Sequence, residues 1–244
     1  MSENNTYISV IIPSFNESKV ILNTLDKLSS YFAGQPYGFE FIVVDDGSTD
    51  GTRDLINSLS QKKPFIKLIS NSHMGKGASV KSGVLSALGD YVLFTDADLS
   101  TPIEELDKLM PFFKDGYDVV IGSRAQKESN ILQHQPVLRQ AMGKVFNILV
   151  RLLVLRGIRD TQCGFKLFKR QAAQKIFPLQ RLNGFSFDVE ILYIAKVLGY
   201  KIKDVPITWI NRIDSRVGIA KDSSKMFLDL FIIRANILRG YYAA

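Results

Sequence analysis

Apolar runs that stop abruptly on polar clusters, with helix-spaced segments between them, leave this chain few folds to choose from. Ile8-Ser9-Val10-Ile11-Ile12-Pro13 runs into Ser14-Phe15-Asn16-Glu17, and Phe39-Glu40-Phe41-Ile42-Val43-Val44 into Asp45-Asp46-Gly47-Ser48-Thr49-Asp50. Tyr91-Val92-Leu93-Phe94-Thr95 runs into Asp96-Ala97-Asp98-Leu99-Ser100. Short runs rich in β-branched and aromatic residues predict buried strands. Between them, Val20, Ile21, Leu25 and Leu28 recur at helical spacing, and Leu55, Ile56 and Leu59 mark a second helix. A strand at residues 66–70 and a helix at 78–87 complete the first hundred residues. Strands alternating with helices predict an α/β fold, a parallel sheet covered on both faces. Ligands in such sheets sit beyond the carboxyl ends of the strands, so the three polar clusters should converge on one edge.

The second half is less regular. Residues 118–121 form a predicted strand ending in Gly122-Ser123-Arg124, and a loop then leads to an amphipathic helix. Met142, Val145, Phe146, Leu149, Leu152 and Leu153 make its apolar face, opposite Lys144 and Arg151. Phe187-Asp188-Val189-Glu190 opens a helix apolar almost all round, hence buried. A last strand is predicted at 205–209 and a final apolar helix at 226–238. No repeat, low-complexity stretch or linker marks a second large domain.

The net charge of +7, from 31 basic and 24 acidic residues, suits an anionic partner such as a nucleotide, a phosphorylated substrate or a phospholipid surface. Without an arginine-rich run or zinc-ligand spacing, nucleic acid is not the expected partner. Cys163 is the only cysteine, which excludes an intrachain disulfide and fits a reducing compartment. Met1-Ser2-Glu3-Asn4-Asn5-Thr6 lacks the basic start and apolar core of a signal peptide. The most apolar windows are broken by Arg151 and by Asp229 and Arg234, so no membrane span is expected.

Asp96-Ala97-Asp98 carries the sharpest chemistry. Alternation points both carboxylates to one side as the strand ends, where they repel unless a cation lies between them. Mg2+ takes oxygen ligands, typically one or two carboxylates plus substrate phosphates. The competing reading is a solvated loop. Gly75-Lys76-Gly77-Ala78-Ser79 fails the G-x-x-x-x-G-K-[ST] pattern, although Lys76 remains a candidate substrate contact. No G-x-G-x-x-G follows the first strand, which argues against a nicotinamide dinucleotide. Asp45 and Asp46 fit either a turn or a carboxylate accepting from a base N–H or ribose hydroxyl. Arg124, Arg139, Arg212 and Arg216 fall outside the predicted elements; each is surface charge or a bidentate donor to phosphate. His73 and His134 are too far apart to suggest a ligand pair. Cys163 reads as packed rather than nucleophilic. Asp188, in line with Ile191, Leu192 and Ala195, faces inward, either to cap its helix or to act in catalysis; Glu190 lies about 200° round the helix.

Ser9-Val10-Ile11-Ile12-Pro13-Ser14-Phe15-Asn16-Glu17, Val43-Val44-Asp45-Asp46-Gly47-Ser48-Thr49-Asp50, Thr95-Asp96-Ala97-Asp98 and Gly122-Ser123-Arg124 together resemble the family 2 glycosyltransferases of GT-A fold. Within that family, the stretch from Asp160-Thr161-Gln162-Cys163-Gly164 to Phe165-Lys166-Leu167-Phe168, with Phe187-Asp188-Val189-Glu190, is most similar to dolichyl-phosphate β-glucosyltransferases. The resemblance implies a Rossmann-like, mostly parallel sheet, with residues 1–216 as the catalytic domain. Residues 217–244 would form an amphipathic helix packed on that domain or on a membrane surface. It implies that Pro13, Ser14, Glu17, Asp45 and Asp46 bind the nucleoside, and that Asp96 and Asp98 hold Mg2+ or Mn2+ on the diphosphate, with Ser100 in its shell. Arg124 would meet the diphosphate or the acceptor phosphate, Arg139 the acceptor phosphate, and Arg212, Ser215 and Arg216 would form a mobile acceptor loop. Relatives carry Ser-Lys where this chain has Ser215-Arg216.

The expected reaction moves a hexose from a nucleotide sugar, UDP-glucose before GDP-mannose or UDP-N-acetylglucosamine, to a polyprenyl or dolichyl phosphate at the cytoplasmic face of a membrane. An acceptor phosphate is already anionic and needs positioning rather than a base. The rival readings are a sugar-hydroxyl acceptor, which would need Asp188 as base, and a non-catalytic nucleotide-sugar-binding protein.

Overall fold

The computed structural model describes residues 6–133, 136–211 and 219–242. In chain order the elements are β1 (Tyr7–Ser14), α1 (Ile21–Ala33), β2 (Gly38–Asp45), α2 (Thr52–Ser60), β3 (Ile66–Ser70), α3 (Lys76–Leu85) and β4 (Tyr91–Thr95). A short helix α4 (Leu106–Leu109), flanked by 3-10 turns, precedes β5 (Val119–Ser123), β6 (Asn130–Gln133) and α5 (Val137–Leu153). Then follow β7 (Phe165–Lys169), α6 (Arg170–Leu179), α7 (Phe187–Val197), β8 (Ile202–Pro206), β9 (Thr208–Ile210) and α8 (Ile219–Leu238).

Seven strands form one sheet in the order β3-β2-β1-β4-β7-β5-β8, and β6 pairs with β9 in a small second sheet. Strand alternation decides which helices cover which face. Ile8, Val10 and Ile12 of β1 turn towards α1, packing with Leu25, Leu28 and Phe32. Ile11 turns the other way, into a second core that takes in α3, α6 and α7 and reaches Phe146 of α5 and Leu230 of α8. The parallel βαβ reading holds for β1 to β4.

Three features differ from the sequence reading. β7 is antiparallel to both β4 and β5 and sits between them. Its pattern was disguised by Lys166, a charged residue on a central strand. The strand expected at 205–209 is two: β8 ends at Pro206, which has no N–H to donate, and the chain moves to the second sheet. Arg139 lies within α5 rather than in a loop.

Candidate functional site

The carboxyl ends of β1, β2 and β4 border a cleft of about 1110 Å³. Pro13, Ser14, Phe15 and Glu17 line it from β1 and the loop beyond, Asp46 from β2, and Asp96 and Asp98 from β4. The expected convergence of three polar clusters is therefore real. Among the described residues, the non-glycine positions with left-handed backbone are Asn16, His73 and Leu99, at φ 55°, 48° and 47°. All three sit in loops at this edge, and such conformations persist only where the surroundings enforce them.

The two carboxylates ending β2 do different things. Asp45 is fully buried. Its Oδ2 accepts from Arg53 Nε at 3.0 Å and from the Ser48 amide at 3.3 Å. Its Oδ1 has no hydrogen-bond partner among the described residues, and neither has Ser14 Oγ. Ser14 and Asp45 are register partners across β1 and β2, so the two unsatisfied groups are neighbours. Asp46 is already engaged: it accepts the Met74 and Gly75 amides, each at 2.8 Å, and so ties down the loop before α3. His73 in that loop lies 3.3 Å from Asp46 and stacks on Phe15, ring centroids 4.2 Å apart.

Asp96 faces Lys76, the first residue of α3, with Nζ to Oδ1 at 2.6 Å. Asp98 accepts both the amide and the hydroxyl of Ser100 at 2.9 Å. Burial, and then the charge of Asp96, hold the Asp98 carboxyl above the ordinary carboxylate range. Gly164 presses against the pair from the segment entering β7: a Cβ there would stand 2.0 Å from Asp96 Oδ2. Oxygen donors of this kind suit a hard divalent ion. No group of three His, Cys, Asp or Glu side chains able to hold a metal exists among the described residues. The donor set thus fits an ion completed by oxygens from a ligand, such as a diphosphate.

Arg124, just after β5, is held by Asp160 through Nε at 2.7 Å and Nη2 at 2.9 Å, and lies 5.4 Å from the Trp209 ring centre. Asp160 is 2% exposed, and the Arg124 guanidinium holds its carboxyl below the usual range despite burial. Asp188 opens α7 without capping it. It borders the cleft and is ion-paired with Lys166, which is fully buried and also donates to the Cys163 carbonyl at 2.6 Å. Glu190 is buried elsewhere, accepting the Tyr242 hydroxyl at 2.6 Å and the Leu182 amide at 2.8 Å. Cys163 is packed, its thiol pushed up to about 12 by burial. Arg139 lines the cleft from α5. Arg212, Ser215, Arg216 and His134 lie outside the described residues. The sequence reading assigned no role to Asp160, Gly164, Lys166 or Trp209; a lysine inside an apolar strand-like run was the available signal for Lys166.

The far wall is mixed, with an apolar cluster among Arg139, Ser223, Lys225 and Asp229. Met142 and Phe146 of α5 and Met226 and Phe227 of α8 line it, with Phe146 and Phe227 packed edge to face. The expected single apolar face of α5 is split: Phe146 and Val150 point inward, whereas Val145, Ile148 and Leu152 are exposed. Leu228, Phe231 and Ile232 of α8 are exposed as well. Among the described residues no helix is long and apolar enough to cross a membrane.

The model of the family described as Glycosyl transferase family 2 matches residues 9–177. The chain is 36% identical over 252 residues to a dolichyl-phosphate β-glucosyltransferase of Trichomonas vaginalis, covering 99% of this chain and 74% of that protein. It is 36% identical over 257 residues to the dolichyl-phosphate β-glucosyltransferase of Saccharomyces cerevisiae, covering 97% and 76%. The Homo sapiens protein of the same name is 33% identical over 249 residues, covering 96% and 76%. Mannosyl-3-phosphoglycerate synthase from Rubrobacter xylanophilus superimposes with a TM-score of 0.69 at 20% identity, covering 96% of this chain and 74% of that one. Glucosyl-3-phosphoglycerate synthase from Mycobacterium tuberculosis, solved with Mn2+, uridine diphosphate and glucosyl-3-phosphoglycerate, superimposes with a TM-score of 0.68 at 19% identity, covering 94% and 80%. At such identities the likeness speaks to the fold, which is GT-A.

Proposed function

The chain belongs to glycosyl transferase family 2, and on that premise we propose that it moves glucose from UDP-glucose to a dolichyl or other polyprenyl phosphate, inverting the anomeric carbon. The observation that carries this reading is the make-up of one cleft, with paired carboxylates and a lysine on one side and, on the other, an apolar cluster of Met142, Phe146, Met226 and Phe227 set beside the basic Arg139 and Lys225. The names of relatives 33–36% identical to this chain support the choice of sugar and acceptor.

In this reading Ser14, which lines the cleft, and Asp45, buried directly behind it, are assigned to the nucleoside, each with a buried oxygen that has no partner among the described residues. Pro13 and Glu17 flank the nucleoside, and Asp46 holds the loop from which Lys76 reaches the phosphates. Asp96 and Asp98 would hold Mg2+ or Mn2+; when bound, the ion neutralises charge developing on the leaving diphosphate as a Lewis acid. The acceptor phosphate oxygen attacks the anomeric carbon as the bond from that carbon to the diphosphate breaks, and UDP departs. No proton has to be removed. Asp188, ion-paired with Lys166, then positions sugar or acceptor rather than serving as a base. Arg124, braced by Asp160 and Trp209, supplies fixed positive charge beside the reacting phosphates. Arg139 approaches from the far wall, and Arg212, Ser215 and Arg216 are assigned the acceptor loop.

Residues 1–216 are the catalytic unit in this proposal, and residues 217–244 the helix that brings it to its lipid. The outer apolar residues of α5 and α8, with Lys144, Arg151 and Arg234 exposed beside them, suit a peripheral seat on an anionic, cytoplasm-facing bilayer.

The test is a transfer assay with labelled UDP-glucose, GDP-mannose or UDP-N-acetylglucosamine, Mg2+ or Mn2+, and a polyprenyl phosphate. Glucose label should enter the organic phase only with lipid phosphate present, and Asp98→Ala should cut turnover by on the order of a thousandfold. Donor binding without lipid labelling would redirect the assignment to a hydroxyl acceptor; no donor binding at all would overturn it.

A further inference from the structure

Lys76 stands among three carboxylates: Asp96, Asp98 and Asp188 all act on its ammonium. Its bond to Asp96 is 2.6 Å long, and the two side chains are only 21% and 33% exposed, so water screens the pair weakly. The backbone carrying it is clamped on both sides. Asp46 accepts the Gly75 amide at 2.8 Å, and the Asn183 carbonyl accepts the Gly77 amide at 2.8 Å. A Cβ on Gly75 would meet the Asn183 oxygen at 2.5 Å, and one on Gly77 the Leu182 oxygen at 2.8 Å. The anchor is fixed while the four-carbon stem beyond it can rotate.

We propose that Lys76 is a built-in cation that guards the Asp96/Asp98 pair against a divalent ion arriving alone and surrenders it to one arriving with a diphosphate. The proposal rests on the metal-clamp reading above. A lone divalent ion between these carboxylates meets an ammonium already bonded to one of them, and like charges in a poorly screened site repel. An ion that comes with a nucleoside diphosphate brings phosphate oxygens on which the ammonium can land. Lys76 then moves from carboxylate to phosphate, and one displacement serves both ligands. Metal and nucleotide thereby strengthen each other's binding by a common factor, as linkage requires. The protein would spend little time loaded with metal and empty of donor.

The experiment compares wild type, Lys76→Met and Lys76→Arg. Binding of Mn2+ alone is followed by the electron paramagnetic resonance of the free ion, and UDP binding with and without Mn2+ by calorimetry. Wild type should bind Mn2+ weakly alone and about tenfold or more tightly with UDP, within the usual range of coupling. Lys76→Met should bind Mn2+ alone about tenfold more tightly than wild type and lose most of the coupling, whereas Lys76→Arg should keep it. A side chain with only a structural part would not tighten metal binding when removed. If Lys76→Met binds Mn2+ alone no more tightly than wild type while UDP still strengthens binding, the guard role is wrong and the metal clamp survives. If neither protein binds Mn2+ even with UDP, both readings fall.

Discussion

Replacing Lys166 with methionine isolates the buried ion pair beneath the site. Lys166 is 0% exposed and Asp188 3% exposed, and methionine fills a similar volume with no charge. Asp188 would be left buried, with Lys76 the other cation acting on it. Removing one member of a buried ion pair costs about 3–5 kcal/mol. For 244 residues, at about 2.1 cal/mol/K of unfolding entropy per residue, 1 kcal/mol moves Tm by about 2 °C. Lys166→Met should therefore melt about 6–10 °C below wild type near neutral pH. The pH dependence is the more diagnostic part. Burial holds the Asp188 carboxyl above the ordinary range even with Lys166 beside it, and losing that lysine raises it further, so the folded form takes up a proton where the unfolded form is still ionised. The penalty is then full at high pH and shrinks as pH falls through the raised pKa. Calorimetric melts of variant and wild type, taken in steps from about pH 8 to about pH 5.5, should show the gap narrowing, and Lys166→Met/Asp188→Asn should recover much of it. A gap that stays constant or widens on acidification would refute uncompensated charge as the cause.

Gly164→Ala should lower turnover at least about tenfold, because its Cβ would stand 2.0 Å from Asp96 Oδ2 and must displace that carboxylate; steady-state kinetics beside a melt separates this from unfolding. Asp45→Asn should weaken UDP binding about tenfold and leave Mn2+ binding unchanged, whereas Arg53→Ala, which removes only the half-exposed ion-pair partner, should do less in the same calorimetry. Phe231→Glu, on the exposed face of α8, should reduce sedimentation with anionic vesicles while leaving UDP affinity intact. Asp98→Asn should raise Tm by a few degrees at most in metal-free buffer, since the carboxylate's folded pKa is raised and its charge destabilises the fold at neutral pH.

The early half of the fold was legible because local pattern and global role agree there. β1, β2 and β4 are mostly apolar and each turns polar at its carboxyl end, at Ser14, Asp45 and Thr95, so sheet and site edge could be read together. The later half hides its roles in residues whose meaning depends on partners far away in sequence. Lys166 looks like a solvent-facing lysine until Asp188, from another element, supplies its counter-charge. Arg124 looks like a free phosphate ligand until Asp160 braces it. Val145 and Leu152 have helical core spacing, yet they are 50% and 66% exposed. Periodicity says that a face is apolar; it does not say whether protein or something else covers it.

The antiparallel placement of β7 also bears on how the chain is made. Until Phe165–Lys169 has left the ribosome, β4 has a partner on one flank only and presents a row of unpaired amides and carbonyls on an apolar strand. The nascent chain therefore carries an adhesive border through the synthesis of everything from residue 96 to residue 164. The last piece to seal that border follows directly on Gly164, the residue set against Asp96. Covering the open flank of β4 and seating Gly164 against Asp96 are thus one event in biogenesis, and a product halted before it would be prone to aggregate.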